Sequence, residues 1–351
     1  MIDLTCVVHV HSTHSDGTGT VPEIAAAASA AGADVVLLTD HDTLAARYHG
    51  HERWHGSVLV CVGEEVTKRP GHHYLAFGLD DPIDHRGLTP QQVVDAVAAA
   101  GGLGFTAHPF SVGVKPFPFV PATGWDDPFP PGATGAELWS IVTDTLERFE
   151  HRRDALRFQL APRAARQLDH PRPEALAAWD RAARERRVVA IGGLDAHQFG
   201  LRLAGRVPLR VMSYRRSFEL LRTHVLLERP PSGDAAADRA AVYAALREGS
   251  CYLARDAIAP AGGFRFWADG PTHVEMGSEA DAGGFTLHVR LPRRADVRIV
   301  RDGVEFARAH SGTSLDAPAH EPGVYRVEAT LLDRGRPRTW IVSNPIYLRG
   351  R

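Results

Sequence analysis

The sequence predicts an α/β protein with a parallel strand core, followed by a small all-β domain. Three observations predict this. Apolar, strand-like runs alternate with helix-like stretches over about the first 255 residues. Many of those runs stop at a histidine, aspartate or glutamate. Beyond about residue 256 the pattern changes to short alternating segments separated by Gly, Pro and Asp, the signature of a β-sandwich. A length of 351 residues exceeds the usual single domain and suits a division into 1–255 and 256–351.

The elements follow in order. LTCVVHV, from Leu4, reads as a strand. PEIAAAASAAGA follows as a helix, with Pro22 near its start and Gly32 at its end. DVVLLTDHD, VLVCVGEEV and HYLAFGL read as three more strands. TPQQVVDAVAAAGG is a helix with a glycine stop, and LGFTAHPF a strand ending at His108, beyond which Pro109 blocks the ladder. The stretch 111–135 is rich in Pro, Gly and aromatics and reads as a long loop or lid. AELWSIV is a strand, 146–187 is dominated by helix formers, and RVVAIGGLDAH is a further buried strand. A helix lies near 238–248. FRFWA, FTLHVRL, VRIVRDG, GVYRVEATLL and TWIVSNPIYL make the strands of the second domain.

Bulk composition removes several classes of function. A formal net charge of -2 with scattered Lys and Arg gives no footprint for duplex nucleic acid or an anionic membrane. Cys6, Cys61 and Cys251 are too dispersed for a disulfide framework or a thiolate zinc site, and a reducing cytoplasm suits them. The opening MIDLTCVVHVH lacks a basic flank and a long apolar core, so no signal peptide is expected. No apolar run approaches the roughly 20 residues that span a bilayer.

Histidine is the unusual count, at 19, and eleven of these fall in the first 108 residues. His9 and His11 stand two apart on a strand, which places them on one face. Asp16 follows in a turn, and His41 closes the second strand between Asp40 and Asp42, which are placed to orient ligand imidazoles. One of Glu64 and Glu65, and one of His72 and His73, should face inward. His108, Asp195 and His197 sit at other strand ends. Each feature alone has an ordinary structural explanation, such as an Asx turn or a polar strand end. Together they predict a metal site, because ionisable groups converging on one mouth are costly to bury without a cation. Mixed imidazole and carboxylate ligation suits zinc, manganese or iron.

The order of HVHSTHSDG, TDHDT, GEEV, GHHYLAFG, AHPF and GLDAH resembles that of the motifs of the PHP (polymerase and histidinol phosphatase) family over about residues 1–255. The resemblance implies a distorted (β/α)7 barrel and a trinuclear metal centre that hydrolyses phosphoesters with a metal-activated hydroxide and no side-chain nucleophile. It implies that His9, His11 and Asp195 hold the first ion and that Glu65 bridges the first and second. His73 and His108 would complete the second, and Asp16, His41 and His197 the third. Asp195 and His197 would also stand at the reacting centre. Glu65 rather than Glu64 follows the family's spacing from glycine, and His73 rather than His72 follows its junction with the next strand. THVLLERP, YAALREGSCYLARD, GVYRVEA and TWIVSNPIY resemble the branch with an appended C-terminal β-domain, which includes carbaryl-hydrolase-like proteins.

These implications set the functional expectations: two to three divalent ions per chain and a small phosphoester or short nucleotide as substrate. Lys115 and Arg202 are candidate substrate contacts. A metallohydrolase of carbamates or other carbonyl esters is the first alternative, and a metal-binding scaffold without catalysis the second.

Overall fold

The computed structural model describes every residue except 69–70, 119, 161–168, 201–206, 208–209 and 351. Among the described residues of 1–254 the elements are β1 (Ile2–Val10), α1 (Val21–Ala31), β2 (Val35–His41), α2 (Ala45–Tyr48), β3 (Trp54–His55), β4 (Val58–Thr67), β5 (His73–Phe77), α3 (Pro90–Ala99), β6 (Leu103–Thr106), β7 (Gly135–Ser140), α4 (Ile141–Leu146), α5 (Arg152–Leu160), α6 (Pro173–Glu185), β8 (Val189–Gly193), α7 (Tyr214–Phe218), β9 (Arg222–Leu227), α8 (Ala235–Glu248) and β10 (Cys251–Ala254). The first long helices carry the expected punctuation. Thr20 and Glu23 form a capping box on α1, Thr89 and Gln92 form one on α3, and Gly32 ends α1 in the left-handed region at φ 74°.

A closed strand ring organises this part. β1 pairs in parallel with β2, and β2 with β4. β5 lies antiparallel between β4 and β6, and β6, β7 and β8 continue in parallel. Backbone bonds from Leu194 to Val8 and from Ala196 to His9 close the ring, while the lower half of β1 pairs antiparallel with β9. The ring is therefore mixed rather than a regular alternation of strand and helix. β4 and β5 form a hairpin, and a long irregular segment links β6 to β7.

Side chains sort into two cores by strand alternation. Cys6, Val8, Leu37, Leu59, Cys61, Leu75, Phe105 and Ile191 fill the ring. Val7, Val36, Val60, Ile24, Val93 and Trp179 pack between the ring and its helices. Among the described residues, no helix is long and apolar enough to cross a membrane.

The remaining chain is β-rich: β11 (Arg265–Asp269), β12 (His273–Glu275), β13 (Glu279–Asp281), β14 (Phe285–Arg301), β15 (Val304–Ala319), β16 (Gly323–Asp333), β17 (Arg336–Ser343) and β18 (Ile346–Arg349). FTLHVRL and VRIVRDG, read separately from sequence, are one strand. β14 runs through both and breaks register between Arg290 and Ala295. Its first half pairs with β11 and its second with β16, and both halves face a core of Phe266, Val289, Ile299, Val327 and Trp340. The sheet is thus continuous and bent, and pairing of β10 with β17 joins it to the ring.

Side chains reinforce that junction. Asn344 accepts from the Ala190 amide at 2.8 Å and donates to the carbonyls of Ala190 at 2.9 Å and Cys251 at 2.8 Å, standing in for a strand neighbour of β8. Arg326 on β16 grips Asp180 on α6 through two bonds of 2.7 and 2.9 Å and lies over Trp179.

Candidate metal centre

The candidate site forms at one rim of the ring. β1, β2, β4, β6 and β8 bring their carboxyl ends there, and β5, running the opposite way, brings its first residue, His73. A single mouth thus receives side chains from six strands, the position where barrel folds build their sites.

Alternation explains most of the choices. On β4, Leu59 and Cys61 point inward, so Glu65 does too, while Glu64 turns out and accepts from the Ile83 amide at 2.7 Å. Burial pushes the Glu64 carboxyl up to about 7, against that hydrogen bond. On β5, Leu75 and Phe77 set His73 inward, whereas His72 lies against Trp125. On β8, Val189 and Ile191 set the phase that carries Asp195 and His197 inward.

β1 needs a further device. With Cys6 and Val8 inside, strict alternation would turn His9 and His11 outward. A bulge intervenes: β1 advances from Val8 to Val10 while β2 advances only from Leu37 to Leu38, and His9 takes φ 65°. Both histidines then reach the mouth, and Val10 joins the outer core. His108 and Asp195 also carry positive φ, at 29° and 52°. Non-glycine residues held in that region concentrate at functional sites.

Glu65 is the hub. Its carboxylate lies 2.8 Å from His73 Nδ1, 3.2 Å from His108 Nε2, 3.2 Å from His11 Nε2, 3.2 Å from His41 Nδ1 and 3.3 Å from His9 Nε2. Asp195 Oδ1 stands 3.5 Å from both His9 Nε2 and His11 Nε2. Asp16, the most exposed member, lies 3.2 Å from His197 Nε2 and 3.6 Å from His41 Nε2. Burial opposes ionisation of Glu65 and Asp195, yet His9 and the neighbouring imidazoles hold both carboxyls well below their usual range. Burial likewise opposes a charge on His9, and Glu65, Glu137 and Asp195 overcome it and raise His9.

Four overlapping donor sets result, each with its atoms within 4.8 Å of one another: His11, Asp16, His41 and His197; His9, His11 and Asp195; His9, Glu65 and His108; and His41, Glu65 and His73. His9 Nε2 and both ring nitrogens of His11 are buried without a hydrogen-bond partner. Buried, unpartnered imidazole nitrogens beside carboxylates fit a divalent cation, which satisfies them and balances the charge. All nine ligand candidates from the sequence fall in these sets.

Other sequence expectations need correction. Asp40 and Asp42 touch no ligand imidazole. Asp40 accepts from Ser12 N at 2.7 Å, Ser12 Oγ at 2.6 Å and Ser15 Oγ at 2.7 Å, and so folds the turn carrying Asp16. Asp42 binds the Thr67 amide at 2.7 Å. Lys115 does not line the cavity; its ammonium meets Glu150 on the surface at 2.6 Å. Arg202 lies outside the described residues. AELWSIV is strand only to Ser140, and Ile141 opens α4.

The residues that do orient the cluster are Glu137 and three threonines. Glu137 Oε1 lies 3.0 Å from His9 Nδ1, and its Oε2 accepts from the His108 amide at 2.7 Å. A Cβ at Gly193 would overlap Glu137 Oε1, so glycine there makes room for the carboxylate. Thr67 Oγ1 lies 2.6 Å from His41 Nδ1, Thr123 Oγ1 2.9 Å from His108 Nδ1, and Thr143 Oγ1 donates to Asp195 at 2.9 Å. Partners of this kind fix ring orientation around metals. One signal was available in the sequence, since Glu137 interrupts the apolar run AELW.

No protein-family model matches the chain, and no curated protein matches it significantly. Solved structures do resemble it. One is a two-domain protein from Bacteroides vulgatus described as containing a predicted PHP-like metal-dependent phosphoesterase. It is 16% identical with a TM-score of 0.39, over 97% of this chain and 95% of that one. A second, from Bifidobacterium adolescentis, carries a provisional description as a metal-dependent phosphoesterase. It is 15% identical with a TM-score of 0.33, over 59% of this chain and 92% of that one. A third is an amidohydrolase from Chromobacterium violaceum with bound sulfate and no metal. It is 16% identical with a TM-score of 0.30, over 55% of this chain and 87% of that one.

Proposed function

We propose that this chain is a metal-dependent phosphoesterase of the PHP type, with a distorted (β/α)7 barrel over 1–255 and a β-domain over 256–351. One observation carries the reading: nine histidines and carboxylates from separate segments meet around buried imidazole nitrogens that make no hydrogen bond. His9, His11 and Asp195 would hold one ion, with Glu65 bridging to a second held by His73 and His108. Asp16, His41 and His197 would hold a third. Zinc, manganese or iron suits this donor set. Divalent ions bound there supply Lewis acidity toward a phosphoryl oxygen and acidify water.

The chain's own residues do the rest. Glu137, Thr67 and Thr123 fix the ring orientations of His9, His41 and His108. Asp195 and His197 face the open cavity above the cluster, where a substrate would lie against them. Cys6, Cys61 and Cys251 are buried and unbridged, which suits a reducing cytoplasm. The test is metal analysis of the purified chain, followed by assays with p-nitrophenyl phosphate, bis-p-nitrophenyl phosphate and 1-naphthyl methylcarbamate. Phosphoester turnover that His41→Ala and Asp195→Ala abolish is expected. Turnover retained in both variants, or of the carbamate alone, counts against it.

A further inference from the structure

The cavity above the metal-ligand cluster measures about 790 Å³, and its two walls differ in chemistry. One wall is the cluster itself. The other is aliphatic and aromatic, made by Val114, Val120 and Pro121 of the long loop, Val142 and Leu146 of α4, and Phe199. Phe199 is half exposed, and its ring lies parallel to that of His197 at 5.7 Å, so an apolar surface runs directly up to a candidate ligand.

Among the described residues, the polar groups on that side are already engaged. Thr67, Thr123 and Thr143 are bonded to His41, His108 and Asp195. Glu147 accepts from Ser111 Oγ at 2.6 Å and from the Val112 and Gly113 amides at 2.9 Å each, and takes Arg172 on its other oxygen at 2.6 Å. These bonds tie the loop to the end of α4 and hold Val114 over the cluster. Among the described residues lining the cavity, none is a lysine or arginine. Sugar hydroxyls or a second phosphate would lose their hydration against such a wall without gaining hydrogen bonds, which is costly, whereas an apolar group gains by leaving water.

Resting on the phosphoesterase reading, we propose that the substrate is a phosphoester of an apolar alcohol, aryl or branched alkyl, whose ester group lies against Phe199, Leu146 and Val120. Sugar phosphates and nucleotides should bind more weakly. The volume accommodates a bicyclic ring beside a phosphoryl group.

A binding measurement separates this inference from the reading beneath it. The full chain, loaded with manganese, is titrated with 1-naphthylmethylphosphonate and with methylphosphonate, neither of which can be hydrolysed. The naphthyl compound should bind at least about tenfold more tightly, as expected for burying an apolar ring face. Phe199→Ala and Val120→Ala, both at exposed positions, should each shrink that ratio. Equal affinities for the two compounds overturn the apolar-substrate inference and leave the phosphoesterase reading standing. So does a ratio that neither substitution changes, or tighter binding of thymidine monophosphate than of the naphthyl compound. Binding of no phosphonate overturns both.

Discussion

Raising the pH should unlock one buried cluster at the other end of β1 from the metal centre, and the size of the effect follows from its surroundings. His224 on β9 is almost wholly buried. Its Nδ1 lies 2.7 Å from Asp3 on β1, and its Nε2 lies 3.1 Å from Asp256 just beyond β10. Arg222 also binds Asp256, at 3.0 Å, and the Tyr252 hydroxyl donates to Asp3 at 2.6 Å. Burial opposes the imidazolium, but the two carboxylates overcome it and raise His224 from 6.5 to about 9. The folded value lies above the unfolded one. The stabilisation is therefore complete below pH about 6.5 and is lost as the pH rises through 9. A gap of this size corresponds to roughly 3 kcal/mol at 1.36 kcal/mol per unit. Asp3 and Asp256 are held low, so their contributions change only in acid, and the Tyr252 hydroxyl is pushed up and stays neutral in this window. Urea denaturation of the wild type and of His224→Gln, at pH 6 and pH 9.5, isolates the group. The wild type should lose about 3 kcal/mol more than the variant over that span. Equal losses would refute the claim that His224 is charged in the fold.

Other expectations concern the cluster and the domain junction. Glu137→Gln should weaken metal retention by about 10- to 100-fold, read by competition with a chelator, and an unaltered affinity would remove its orienting role. Glu65→Gln should lower bound metal per chain while Glu64→Gln keeps it, and the reverse pattern would mean that Glu64, not Glu65, faces the ions. Asp180→Ala leaves Arg326 buried with only Glu328 at 2.5 Å, so the protein should lose about 3 kcal/mol in urea denaturation. A loss below about 1 kcal/mol would mean that the pair adds little to the junction between α6 and β16.

Much of the site is legible in the sequence because alternation carries it. The apolar residues of β4, β5 and β8 set a phase, and Glu65, His73, Asp195 and His197 fall on its inward side. His9 and His11 are the instructive exception. Their i, i+2 spacing puts them together, but only the bulge at His9 turns the pair inward, and nothing in LTCVVHV announces a bulge. Asp40 and Asp42 mislead because an aspartate next to a histidine looks like its orienting partner. In the fold they point the other way, and Glu137, distant in sequence, takes that part. β15 escapes a sequence reading for a different reason. It is an edge strand whose exposed residues need no apolar alternation, and its pairing with β14 holds it in place. The bend of β14 at LPRRA similarly hides one strand as two.

The most direct test is anomalous diffraction, at the manganese or zinc edge, from crystals of the full chain grown with that metal. The account predicts two to three peaks in the mouth of the ring, ringed by His9, His11, Asp16, His41, Glu65, His73, His108, Asp195 and His197. A map with metal in excess and no peak within reach of Glu65 would contradict it.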